Sequence, residues 1–572
     1  MHEADPTSQS NYLQIATKHI TFDWTVDFDN KVITGTATHE FIAKIDEVSE
    51  VIFDTSYLHI ERVKVDGDAV QDFRLGPKHE VMGSALHVEI TYRTTANGTA
   101  LQFLAKEQTQ GKTFPFLFSQ CQPIHARDLA PVQDTPSVKL TYSASVRSVL
   151  PVLLSARRIS PPSDGPAHDG KIIGKDEVVY TYDQPTPIPS YLLAIAAGNL
   201  QYRPFQVPDG KQWKSGVWSE PELMDSSFWE FSRDTARSLT DVVIHELTHS
   251  WFGNGVTHAH ASHFWLNEGW TTYVERVLLQ IIHSPAHRGL SSVIGYKGLL
   301  DALAFFEDKP KYQKLVIDFD YGEDPDSAFS RVPYDKGANF LLHIERTLGG
   351  LEVFLPYVKD YIATYMGHSI TTETWKNHLY AYFQKNGSKE QIKALNSIDW
   401  DMEYDLTLAN PANALADRWY ESRHTTDISK LDFKGSDLDN LDANQRAVFL
   451  ERLESYNEPL PAGHLFHFDK LYAFSKTLSA EIRFRFYALV LKSQAAMHFV
   501  QGAANWVIGA DDTGVIKGRM KFCRPVFRVM FKVKPDLAIS TFRQAQTQFH
   551  PIAQSLIAQD LGLDLAGLRV GG

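Results

Sequence analysis

Two histidines and a glutamate are spaced for metal chemistry. His245-Glu246-Leu247-Thr248-His249 places imidazoles at positions i and i+4, which share one face of a helix and point at one ion. Glu246, beside the first histidine, then lies close to the metal without being forced to bind it. Eighteen residues separate His249 from Glu268, which sits early in a second helical pattern, WLNEGWTTYVER. That interval suits a helix-turn-helix return. Two imidazoles and one carboxylate leave the fourth tetrahedral position of a zinc ion open for water, the pattern of a catalytic and not a structural site. Zinc acidifies the water and polarises a carbonyl. Glu246 can take the water's proton and pass it to a leaving amine. A blander reading, an amphipathic helix with two surface histidines, accounts for HELTH alone but not for the carboxylate that follows.

The elements that must position these residues change along the chain. Residues 1 to about 203 read as strands: Ile20 to Phe28, Lys31 to Phe41, and the runs from Val51, Ala85 and Ser137 alternate apolar and polar residues between turn signals. The segment Ser160 to Gly170, rich in Pro, Gly and Asp, reads as a loop within this domain. From about Phe228 the period becomes helical, with one helix expected over Phe228 to Phe252 and another over His263 to Ile281. Ala409 to Trp419 (ANPANALADRW) reads as a linker, and the chain after about Leu431 reads as helices throughout. The expectation is a multi-domain α+β chain: a sheet-rich domain over 1–203, a thermolysin-like zinc domain over 204–402 and an all-helical stack over 403–572.

Composition narrows the function classes. The 572 residues carry 56 Lys+Arg against 69 Asp+Glu, a net charge of −13. Bulk attraction to nucleic acid or anionic membrane is not expected of such a chain. Two cysteines, Cys121 and Cys523, point to a reducing compartment. No basic start followed by an apolar run marks a leader, and no apolar run approaches the length of a membrane span. A cytoplasmic monomer is expected.

HELTHSWFGN followed by WLNEGWTTYVER resembles the M1 metallopeptidases, zinc aminopeptidases with a thermolysin-like catalytic domain, and within them the leukotriene A4 hydrolase/aminopeptidase branch. The likeness extends over SQCQPIHARDLAPVQDTPSVKLTY (Ser119 to Tyr142), PSYLLAIAAGNL (Pro189 to Leu200), RVPYDKG (Arg331 to Gly337) and GRMKFCRP (Gly518 to Pro525). The resemblance implies one Zn2+ per chain held by His245, His249 and Glu268, with Glu246 as general base. Asn267 and Glu275 flank Glu268, and Glu275 is placed to support a ligand histidine from behind. Tyr334 matches the family's catalytic tyrosine, whose hydroxyl stabilises an oxyanion. Gln120 and Gln122, read as alternating on one face of a strand, match positions lining the substrate cleft. Arg519 and Lys521 match residues that hold a substrate's terminal carboxylate. The implied substrates are short peptides, with a lipid epoxide as a second class. His258, His260 and His263 read as surface or core residues.

The chain also departs from the family. M1 enzymes carry a GxMEN motif a few dozen residues before HExxH. Its glutamate binds the substrate's free amine and its backbone forms an edge strand. No such motif is present, and EFSRDTARSLTDVVIHELTHS runs directly into the first ligand helix, as if one block were absent between about Arg237 and Leu239. Loss of that block removes the amine anchor and the edge strand for peptide pairing, and exposes neighbouring core. Asp326 matches the aspartate that steers water in leukotriene hydrolysis, while Phe329 stands where some relatives carry tyrosine. Two main readings follow: an aminopeptidase with an accompanying epoxide hydrolase activity, or a catalytically impaired zinc-binding variant. A zinc endopeptidase freed of the amine anchor is a third.

Overall fold

A computed structural model describes residues 4–46, 48–71, 79–82, 87–206, 210, 215–231, 240–397, 410–439, 441, 443–549 and 551–563. The chain divides into two compact units, one of Met1–Leu278 with Gly298–Met402, the other of Leu279–Lys297 with Glu403–Gly572.

In the first unit the run from Val51 pairs with His79–Met82, while most of the alternating runs become an eight-stranded sheet. Its order is Arg157–Ser160, Val178–Pro189, Lys139–Ser148, Ile15–Asp27, Val32–Ala43, His87–Arg93, His59–Val65 and Asp68–Val70. Ile15–Asp27 and Lys139–Ser148 pair in parallel, with Phe22 opposite Ala144; the other neighbours are antiparallel. The period of two decides which face is dry. Along Lys139–Ser148 every second residue is buried, and Ile20, Phe22 and Trp24 point the same way from the adjoining strand. They pack with Leu117, Val152, Ile195 and Ala197 of a second, four-stranded sheet. The indole of Trp24 donates to the Tyr92 hydroxyl at 2.8 Å, so a fully buried polar pair is satisfied.

Beside these sheets, helices Trp265–Ile282, Gly337–Leu348, Leu351–Tyr365 and Thr372–Asn386 share an aromatic core of Trp265, Trp270, Tyr273, Phe354, Tyr357, Tyr361 and Trp375. The sheet region is tied to the chain around the metal motif. Lys139 Nζ donates to the carbonyls of Asn254 and Gly255 at 3.0 and 2.8 Å, and Ser137 Oγ to that of Ala259 at 2.8 Å.

The second unit is helical, from Asn410–Glu421 to Pro551–Asp560. Its core includes Trp419, Phe449, Phe468, Phe486, Trp506 and Phe527. Here one expectation is corrected. Asn410 to Trp419, read as a linker, is helical, with Ala412, Leu415, Ala416 and Trp419 buried in this core. Its Ala-, Asn- and Pro-rich composition concealed an apolar face at helical spacing. Ala409 lies outside the described residues, as does the junction between Arg237 and Leu239. Among the described residues, no helix is long and apolar enough to cross a membrane.

Candidate active site

The motif HELTH folds as the helix Thr240–Thr248, with Ile244 and Thr248 buried on its inner side. Its two imidazoles meet Glu268 from Trp265–Ile282. Glu268 Oε2 lies 3.4 Å from His245 Nε2 and 3.4 Å from His249 Nε2. One ligand atom from each of the three residues falls within 4.8 Å of the others. Two neutral-capable imidazoles and one carboxylate, converging at that spacing, fit a zinc ion.

The second nitrogen of each histidine is also held. His245 Nδ1 is 3.0 Å from Glu275 Oε2. His249 Nδ1 is 2.9 Å from the Phe252 carbonyl and 3.1 Å from Thr271 Oγ1, which itself donates to Phe252 O at 2.8 Å. These partners fix ring orientation and direct Nε2 inward. Phe252 O reaches back to the ring because the chain turns sharply at Gly253, where φ is +115°. A Cβ there would meet His249 Nδ1 at 2.8 Å, so the turn excludes any side chain.

Charge is matched to this geometry. Burial pushes the His245 imidazole down, but hydrogen bonds and charge from Glu268 and Glu275 outweigh it and raise it to about 9. His249 is likewise depressed by burial and raised overall by Glu268. Burial pushes Glu268 up, yet hydrogen bonds from both histidines bring it down to about 2. The metal-free site is therefore an ion pair waiting to exchange protons for a cation.

Glu246 faces out from the same helix and is exposed. Tyr334 sits in a π-helical turn, Val332–Lys336, and its ring lies 6.1 Å from that of His245 at 25°. Burial holds the Tyr334 phenol well above its ordinary value. The charges of Glu268 and Glu246 push the same way, against Arg331. The group stays a hydrogen-bond donor.

The other expected site residues are distributed as follows. Asn267 bonds to His258 and Tyr191. Its Oδ1 accepts from His258 N at 2.9 Å and its Nδ2 donates to the Tyr191 hydroxyl at 3.0 Å, tying the Glu268 helix to the sheet region. Asp326 Oδ2 is 3.0 Å from His125 Nε2, and the Phe329 ring is 6.3 Å from that of Tyr334. Gln120 and Gln122 are not on a strand face: the strand ends at Ser119, and Gln120 Nε2 reaches the Gln122 carbonyl at 3.5 Å. Gln120 N still donates to the Ala100 carbonyl at 2.8 Å just past the strand's end, and the polar alternation runs on into a turn. Arg519 belongs to the second unit, where it precedes the helix Met520–Val533 that contains Lys521. His258, His260 and His263 are buried. Thr271 and Gly253 were not singled out from the sequence. Thr271 had a signal, since 268, 271 and 275 share one helical face; Gly253 had none beyond its residue type.

Comparison with known proteins agrees over nearly the whole chain. Residues 16–192 match the Peptidase M1 N-terminal domain, 219–401 the Peptidase family M1 domain, and 441–561 the C-terminal domain of leukotriene A4 hydrolase. The chain is 33% identical to leucine aminopeptidase 2-2 of Scheffersomyces stipitis, covering 98% of each. It is 32% identical to the leukotriene A-4 hydrolase homolog of Botryotinia fuckeliana, covering 97% of this chain and 93% of that one. The solved structure of native leukotriene A4 hydrolase from Saccharomyces cerevisiae superposes with a TM-score of 0.84 at 31% identity, covering 98% of each chain. The first of these comparisons runs over 655 aligned positions against 572 residues here, so that relative carries residues this chain lacks.

Proposed function

The chain belongs to peptidase family M1, with the leukotriene A4 hydrolase C-terminal domain, and from that premise we propose that it is a zinc aminopeptidase releasing N-terminal residues from short peptides. The observation that carries the reading is the convergence of His245, His249 and Glu268 beside an exposed Glu246 and a half-buried Tyr334. A bound zinc ion supplies Lewis acidity and a water of lowered pKa. His245 and His249 present Nε2 inward because Glu275, Thr271 and the Phe252 carbonyl occupy the other nitrogen. Glu246 accepts the attacking water's proton and returns it to the leaving amine. The Tyr334 hydroxyl donates to the carbonyl oxygen as it becomes an oxyanion. Arg519, Lys521, Gln120 and Gln122 enter on the sequence resemblance alone, the two cations as the grip on a peptide's carboxylate and the glutamines as lining of the cleft. A lipid epoxide is the second substrate class in the proposal, resting on Asp326 and on the name of the Botryotinia relative. Phe329 contributes no hydroxyl to that chemistry. The reading includes a cytoplasmic monomer and domain limits of 1–203, 204–402 and 403–572.

Two observations favour a second reading, the impaired zinc-binding variant. Val242, Val243, Leu247 and Trp251, on and just after the HELTH helix, are between 43% and 58% exposed, and the Scheffersomyces comparison spans more positions than this chain has residues. Both fit a block absent near Arg237 and Leu239 that would cover this helix and anchor the substrate's amine. A tripeptide panel with free and acetylated N-termini separates the readings. Cleavage of the free peptides only supports the aminopeptidase; cleavage of both indicates an endopeptidase; cleavage of neither by zinc-loaded protein indicates the impaired variant.

A further inference from the structure

The carboxylate ligand and the catalytic tyrosine are carried by separate pieces of chain, and two glycines set how close those pieces come. Gly269 follows Glu268; Gly337 follows the turn that holds Tyr334. A Cβ on Gly269 would lie 2.9 Å from Gly337 Cα and 3.1 Å from the Pro333 carbonyl oxygen. A Cβ on Gly337 would lie 2.8 Å from Gly269 Cα and 3.4 Å from the Trp265 ring. The nearest obstacles are backbone atoms, which cannot rotate aside. Gly337 has φ −62°, ordinary for a helix, so closeness and not backbone freedom requires glycine there.

A second contact holds the same two pieces. Seven residues beyond Gly269, and so on the same helical face, Arg276 reaches Asp335, the neighbour of Tyr334. Arg276 Nη2 is 2.6 Å from Asp335 Oδ1, and Arg331 Nε is 2.7 Å from Asp335 Oδ2. The Arg276 and Asp335 side chains are almost fully buried. A π-helical turn is an uncommon conformation found often at functional sites, and here its Asp335 is held by two guanidinium groups.

We infer that Gly269 and Gly337, with the Arg276–Asp335 pair, are positioning residues that fix the distance between the Tyr334 hydroxyl and the Glu268 carboxylate. The inference rests on the proposed role of Tyr334. Adding one methyl at Gly337 forces the backbones apart by several tenths of an ångström and carries the hydroxyl away from where the oxyanion forms.

The test is a double-mutant cycle between Gly337→Ala and Tyr334→Phe on the zinc-loaded full chain. Calorimetry reads the affinity of a phosphonic-acid analogue of a leucyl dipeptide, whose tetrahedral anion needs the tyrosine hydroxyl; zinc content and kcat are measured alongside. Gly337→Ala is expected to keep one zinc and lose about 10- to 100-fold in phosphonate affinity, somewhat less than the loss of an oxyanion donor costs in rate. The double variant is expected to bind no more weakly than Tyr334→Phe alone, because both changes remove one interaction. Multiplied losses, or wild-type affinity in Gly337→Ala, overturn the inference. If Gly337→Ala does not fold, Arg276→Lys loosens the clamp without adding volume, and the same non-additive loss is expected; additivity there overturns it equally. The binding arm needs no turnover, so an inactive but phosphonate-binding protein sinks the peptidase reading while the positioning stands. A phosphonate affinity indifferent to Tyr334→Phe removes the tyrosine's role and the inference with it.

Discussion

The helix Trp265–Ile282 brings one of the three residues that could hold the metal, Glu268, and buries nearly everything around it, with Trp265, Leu266, Trp270 and Tyr273 at 2% exposure or less. The helix Thr240–Thr248 brings two ligands and leaves Val242, Val243 and Leu247 in solvent, with the exposed Glu246 among them. Each buried aliphatic side chain is worth about 1.5–3 kcal/mol, and the second of these helices forgoes that at three positions. Its place is held by Ile244, Thr248 and the hydrogen bonds of its two histidines. The site is thus anchored from one side: Glu268 stands on the well-packed element, and Glu246, the proposed general base, stands on the one with less packing. A metal ion bridging the two would contribute most to the weaker helix.

The largest expected effect separates the two helices by chemistry. Glu246→Gln should lower kcat roughly 10²- to 10⁴-fold, the usual worth of a positioned acid–base, while zinc stoichiometry stays at one because Glu246 lies outside the proposed ligand set. Loss of zinc in that variant would move Glu246 into the coordination set. Next comes packing. Trp270→Ala on the buried helix should cost about 3–5 kcal/mol in urea unfolding. A cost under 1 kcal/mol would mean that this helix is not the anchor.

Thr271→Val removes one bond to His249 and leaves the other, to Phe252 O, in place. Outer partners of ligand histidines typically contribute 10- to 100-fold to metal affinity, so competition with a chelator should show a loss near the lower figure. Unchanged affinity would assign Thr271 to the Phe252 turn alone. Proton exchange sharpens the same point. His245 is raised to about 9 in the metal-free protein, so it holds its proton at neutral pH and zinc must displace it. Affinity should then rise as pH rises toward about 9, by about tenfold per unit for each proton displaced. Calorimetry in two buffers of different ionisation heat should show net proton release; zinc uptake without release contradicts the ion pair. The smallest effect is expected at Leu247→Gln, within about 0.5 kcal/mol, as for other exposed positions. A loss approaching that of Trp270→Ala would show that this face is covered in solution.

The convergence of His245, His249 and Glu268 was legible because its spacings are short-range helix geometry: a step of four from one histidine to the other, then seven from Glu268 to Glu275 on one face. The strands were legible because alternation along Ile15–Asp27 and Lys139–Ser148 follows directly from one dry face. What was hidden depends on tertiary approach. Gly269 and Gly337 are 68 positions apart and show their purpose only when two backbones touch. Asn267 reaches Tyr191 across the junction with the sheet region, which no local pattern encodes. The helix at Asn410–Glu421 was hidden by composition, since Asn, Pro and Ala also make linkers. Beyond Gln120 the polar alternation outran the strand, because a pattern of two does not mark where extended chain gives way to a turn.

The most direct test is hydrolysis of a leucyl arylamide by the unmodified 572-residue chain, with turnover expressed per bound zinc. The account predicts one zinc per chain and steady hydrolysis that stops when the metal is chelated and returns when zinc is restored. A chain that carries its full zinc and releases no arylamine would contradict it.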